Sequence, residues 1–154
     1  MMYPEYGRVL ALDVGERRIG VALSDLSRTL ATPYLTLHAT PATVFFKKLR
    51  QIITSEDVVQ IVVGLPISLN GQEGPQAQRI RAFIAVLHTH VTVPIATCDE
   101  RYTSAEAERI MIEAGLRPAQ RKARIDEVAA SIILQDYLTR LRQSSPFITD
   151  DDAI

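Results

Sequence analysis

The sequence predicts an α/β domain built on one five-stranded mixed sheet, strand order 3-2-1-4-5, with helices on both faces. Three observations predict it. Two apolar runs of strand length, Val9–Val14 and Ile19–Ser24, are joined by the short turn Gly15–Glu16–Arg17, the pattern of an antiparallel hairpin. Two later apolar runs, "VVQIVVGLPI" (58–67) and "TVPIATCDE" (92–100), each follow a stretch of helical periodicity, as strands reached through crossovers do. The first of these is β-branched and apolar at consecutive positions, which suits a strand covered on both sides.

The elements follow in order. After the hairpin, "TLATPYLTL" (29–37) supplies a third strand, and Pro33 marks it as an edge. Thr40 followed by Pro41 reads as a helix N-cap with proline at the first helical position. Phe45, Leu49, Ile52 and Ile53 then recur at helical spacing. Pro66–Gly74 reads as a loop. Pro75 opens a second helix with Ala77, Ile80, Ile84 and Leu87 on one face. After the last strand, Thr103 and Glu106 form a capping-box pattern. That third helix is expected to bury Ala107, Ile110, Met111 and Ala114 and to stop at Gly115, with Pro118 just beyond. The final helix is expected from about Ile125 to Leu141. Residues 1–142 make one domain, and the polar, acidic stretch 143–154 is expected to be disordered.

A chain of 154 residues is large enough to bury a substantial core. Its single cysteine, Cys98, excludes an internal disulfide and fits a reducing compartment; it reads as a core residue. No apolar run reaches the roughly 20 residues that span a bilayer, and the N-terminus has no secretory pattern. A cytoplasmic protein without a membrane partner is expected. The net charge of −1 carries no global mark of nucleic-acid binding, so any such contact must come from local clusters. Candidates are Arg17 and Arg18, Arg79 and Arg81, Arg101, and the run "RPAQRKAR" (117–124). No nucleophile elbow, P-loop or dinucleotide fingerprint is present. His88 and His90 are two residues apart, a spacing that does not share a helix face.

Three acids stand where structure alone would not ask for them. Asp13 sits near the end of the first strand, Glu100 just beyond the last, and Asp126 at the start of the final helix. With the fourth strand between the strands of Asp13 and Glu100, their axes lie about 9.5 Å apart. Inward-reaching carboxylates bridged by a metal pair about 3.5–4 Å apart fit that gap. Oxygen-only ligation favours Mg²⁺ or Mn²⁺, and the chemistry implied is phosphodiester hydrolysis through an activated water. Each acid also has a plainer reading: Asp13 as a turn residue, Glu100 as a solvated helix-flanking acid, Asp126 as an N-cap. Their conjunction at one sheet edge favours the metal reading. Alternation puts Asp99 on the face opposite Glu100, and Asp25 reads as a strand-ending turn acid.

Four segments, "LALDVGERRIGVALSD", "IVVGLPISLNGQEG", "CDERYTSAEAE" and "KARIDEVAASIILQDYL", occurring in this order, resemble the YqgF/RuvX family of RNase H-like proteins. The resemblance spans Arg8 to Leu138. It implies an RNase H-like fold and a divalent-metal nuclease that processes the 5′ end of the precursor of 16S ribosomal RNA, with resolution of four-way DNA junctions as the alternative. The family's three acids correspond to Asp13, Glu100 and Asp126, and its basic position before the third acid to Lys122. Substrate contacts are expected from Arg17, Arg18, Arg101 and Lys122, and from Asn70 in the loop before Pro75. Structured RNA is the expected partner and branched DNA the other. The preference for RNA comes from the resemblance, since no motif announces a contact to the 2′-OH. The chain is expected to act as a monomer or a homodimer. Two other classes compete. Actin-like ATPases share the opening acid, glycine turn and hairpin but need two such domains. A non-catalytic ribosome-assembly or transcription module would not need the acid triad.

Overall fold

The first strand, β1 (Arg8–Val14), is buried along most of its length and lies at the middle of the sheet. The computed structural model of the protein describes residues 6–67, 71–100 and 103–143. β1 pairs antiparallel with β2 (Arg18–Ser24), and β2 with β3 (Ala31–His38). On its other side β1 pairs parallel with β4 (Val58–Pro66), and β4 with β5 (Ile95–Glu100). The order is β3-β2-β1-β4-β5, as the sequence predicts. The helices α1 (Ala42–Ser55), α2 (Pro75–Leu87), α3 (Thr103–Glu113) and α4 (Pro118–Gln143) complete the domain.

Strand alternation sorts the core into two layers. Leu10, Leu12 and Val14 of β1 join Ile61, Val63 and Leu65 of β4 against Phe45, Phe46 and Leu49 of α1 and Ile80 and Leu87 of α2. Phe45, Phe46 and Phe83 make edge-on and stacked ring contacts there. The alternate residues Val9, Ala11, Ala22, Val62 and Cys98 pack under Ala130, Ile133, Leu134 and Leu138 of α4. Each fully buried side chain of this size contributes about 1.5–3 kcal/mol, so the sheet is held from both faces. The small residue Ala130 lets α4 lie close to the strands, while Ala129 packs with Ala107 and Met111 of α3.

Three expectations are corrected. The final helix begins at Pro118, not near Ile125. Proline stands at its first position, and the Gln120 side chain accepts the Arg117 amide at 2.8 Å, the returning half of a capping box. The helix therefore includes most of the basic run, and Asp126 lies well inside it, not at its N-cap. Second, the N-cap of α1 is Pro41, not Thr40, and it makes no side-chain cap bond. Third, in α3 only Thr103, Ala107 and Met111 are buried; Ile110 and Ala114 are exposed. Thr103, the first residue of α3, is buried and its side chain hydrogen-bonds Glu100. The stop at Gly115 is a Schellman turn. Gly115 has φ +84°, its amide donates to Ile112, and the Leu116 amide donates to Met111.

Asp25 behaves as a turn acid, accepting the amides of Thr29 and Leu30 and the Ser27 hydroxyl. Among the described residues, no helix is long and apolar enough to cross a membrane. The expected acidic tail beyond Gln143 lies outside the described residues.

Candidate active site

Asp13, on β1, shares the parity of Val9 and Ala11, so its side chain belongs to the α4 face of the sheet. Glu100, at the end of β5, shares the parity of Ala96 and Cys98 and belongs to the same face. Asp126 comes from α4, which covers that face.

Two glycines make this convergence possible. Gly20 is the register partner of Asp13 on β2. A Cβ at Gly20 would collide with the Asp126 carbonyl group and the Glu127 amide nitrogen. The helix backbone at Asp126 thus rests on the sheet directly beside Asp13, a distance only a missing side chain permits. On the other flank, a Cβ at Gly64 would come within 2.9 Å of Glu100 Oε2 and 2.6 Å of Ile133 Cδ1. The Glu100 carboxylate therefore leans over β4, toward β1. The hydrogen bond from Thr103 steadies it. Sequence reasoning passed over Gly20, Gly64 and the Thr103 bond. A lone glycine inside an apolar strand is the signal that finds the first two.

The electrostatics follow from the packing. Burial, then the negative charge of Glu100, then that of Asp126, push the Asp13 carboxyl from 3.8 up to about 7. Burial also raises the Glu100 carboxyl, against the opposing bond from Thr103. These are desolvated like charges. The three acids offer oxygen donors, a set suited to Mg²⁺ or Mn²⁺. Among the described residues, no three acidic, histidine or cysteine side chains stand in place to hold an ion as they are. Asp126 has a different partner: Arg18 Nε donates to its Oδ2 at 2.7 Å.

The remaining predicted contacts are dispersed. Arg17 is exposed in the hairpin turn, beside Arg18. Lys122 lies one helical turn before Asp126 and is exposed. Arg81 pairs with Glu73 through both carboxylate oxygens, and Arg79 reaches the Val14 carbonyl. Arg101 and Asn70 lie outside the described residues. Cys98 is buried, and burial pushes its thiol up to about 11, so no thiolate is available at neutral pH. His90 stacks on Phe46 and meets Arg50, away from the acids.

Comparison with known proteins identifies the family. The family model described as "RuvX: Holliday junction resolvase" matches residues 7–140. A Roseiflexus sp. protein named as a pre-16S rRNA nuclease is 52% identical over 141 residues, covering 92% of this chain and all of that one. A Chloroflexus aurantiacus protein of the same name is 46% identical over 138 residues, 90% of each chain. Among solved structures, T. thermophilus RuvC in complex with a Holliday junction substrate superposes with a TM-score of 0.54 at 11% identity, covering 90% of this chain and 98% of that one. Fowlpox virus resolvase with its junction DNA gives 0.51 at 10% identity, covering 87% and 98%. These two share the RNase H-like sheet-and-helix fold. With residues 7–140 matched by the family model and relatives 46–52% identical over nearly its whole length, the chain belongs to the RuvX family.

Proposed function

We propose that the protein is a divalent-metal-dependent nuclease that hydrolyses phosphodiester bonds at the 5′ end of the 16S ribosomal RNA precursor. The observation that carries this reading is the convergence of Asp13, Glu100 and Asp126 between the sheet and α4, which through burial and like charge pushes the Asp13 carboxyl up. Crowding desolvated carboxylates in this way costs stability unless a cation joins them. Asp13 and Glu100 would hold Mg²⁺ or Mn²⁺, with Asp126 as the third ligand. When bound, such an ion lowers the pKa of a water and neutralises charge developing on the phosphate. The chain's own residues do the rest. Thr103 orients Glu100, and Gly20 sets the depth of Asp126. Arg17, Arg18 and Lys122 are the exposed cations that would meet the sugar-phosphate backbone; Arg101 and Asn70, outside the described residues, are proposed as further contacts on the family resemblance. The protein acts in the cytoplasm, where its substrate is made, as a single nuclease domain over residues 1–142.

The names of the relatives favour RNA; the description of the matching family favours four-way DNA. One experiment separates them. Purified protein with Mg²⁺ or Mn²⁺ is offered a 16S precursor RNA and a four-way DNA junction. Cleavage of the RNA, with at least about a hundredfold loss in Asp13→Asn and Glu100→Gln, is expected. Junction cleavage alone would move the substrate to DNA. Wild-type rates in Asp13→Asn would remove the mechanism.

A further inference from the structure

We propose that Arg18 is a displaceable counter-ion for Asp126: it keeps this carboxylate from a bound divalent cation until a phosphate of the nucleic acid draws the guanidinium away. The inference rests on the metal-nuclease reading and adds a positioning residue to it.

The bond itself is the first ground. Arg18 Nε donates to Asp126 Oδ2 at 2.7 Å, joining the start of β2 to the middle of α4. Among the described residues, Asp126 is thus the one member of the acid group paired with a cationic side chain, and that partner would be repelled by a metal. The second ground is asymmetry in exposure. The Arg18 side chain is 51% exposed, whereas that of Asp126 is 23% exposed. Only Nε is engaged, so the Nη donors of the guanidinium remain open to an incoming ligand. A guanidinium donating one bond to a carboxylate is weakly held at the surface. The same fork matches a phosphate through two parallel bonds. A phosphate arriving at the rim is therefore the better partner for Arg18.

The third ground is the rigidity of the backbone beneath. Gly20 sets the Asp126 carbonyl against the sheet, so the helix cannot move closer. Whatever brings the Asp126 carboxylate toward Asp13 must turn the side chain, and that turn requires release from Arg18. Substrate binding and completion of the ligand set become one event. Lys122, four residues before Asp126 on the same helix, makes no ion pair with it among the described residues.

The test reads metal binding without turnover. Mn²⁺ is titrated calorimetrically into the full chain, free of nucleic acid, for wild type, Arg18→Met, Arg18→Lys and Asp13→Asn. Arg18→Met is expected to bind Mn²⁺ about fivefold more tightly, the effect of removing one surface ion pair of about 1 kcal/mol. Arg18→Lys restores a cation and is expected to stay near wild type. In a second arm, a single-stranded RNA oligomer is bound in metal-free buffer at increasing salt. Arg18→Met is expected to lower the log–log salt slope by about 0.7, one phosphate contact, and Arg18→Lys to keep it. Circular dichroism melts confirm that the variants are folded. If wild type binds Mn²⁺, Asp13→Asn does not, and Arg18→Met binds no more tightly than wild type, the counter-ion role is overturned while the metal site stands. An unchanged salt slope in Arg18→Met overturns the phosphate release. If neither wild type nor Arg18→Met binds Mn²⁺, the metal reading falls and the inference with it.

Discussion

Asp13→Asn should stabilise the metal-free protein at alkaline pH while abolishing its activity. The Asp13 carboxyl titrates near 7 in the folded chain against 3.8 for its ordinary value. Between those limits the native state binds the proton more readily than the unfolded state. Stability from this group is thus complete below about pH 4 and is lost as pH rises through 7. At about 1.36 kcal/mol per pH unit, the full loss is about 4 kcal/mol. Because Asp13 interacts with Glu100 and Asp126, whose charges respond when it is replaced, about 2 kcal/mol is expected from one substitution. Asparagine has no charge to desolvate and nearly the same shape. For a chain of this size, about 2 kcal/mol corresponds to a rise of roughly 4–8 °C in Tm. The assay is thermal or urea unfolding of wild type and Asp13→Asn at pH 4 and pH 8, with chelator and then with Mg²⁺. The gain should be present at pH 8, absent at pH 4, and reduced when Mg²⁺ binds wild type. A variant no more stable than wild type at pH 8, or a gain of the same size at pH 4, would refute the reasoning.

Two further outcomes follow from the packing. Gly20→Ala drives a methyl group into the Asp126 backbone; it should cost about 1–3 kcal/mol by overpacking and weaken Mn²⁺ binding with it. The urea midpoint should fall with an unchanged m-value, and a neutral result would show that α4 can shift freely. Asp25→Ala removes the acceptor for the Thr29 and Leu30 amides at 2.7 and 3.1 Å. A loss of about 1–2 kcal/mol in the same unfolding assay is expected, with Mn²⁺ affinity unchanged because the turn lies outside the acid group.

Strand order was legible because strand length, turn chemistry and the switch between periodicities of 2 and 3.6 are local properties. β1 to β5 appear where the apolar runs stand. The start of α4 was misplaced for an equally local reason. Pro118 serves both to follow the Gly115 stop and to open the next helix. Read only as a terminator, it hid a first turn that Gln120 completes. Ile110 was assigned to the buried face because periodicity shows which residues share a side, not how much of that side a neighbour covers. Its flank of α3 is left exposed.

The sequence by itself determined the kinds of group at the site: acids at the ends of two strands and on one helix, with arginines nearby. These follow from chain position and alternation alone. Only the tertiary structure decided how those groups meet. Gly20 and Gly64 matter through what lies above them, residues 106 and 36 positions away in the chain, Asp126 and Glu100. Arg18 finds Asp126 across 108 residues. Contacts of that span are set by how a helix settles on a sheet, a matter of side-chain volume and backbone clearance that no local pattern of letters encodes.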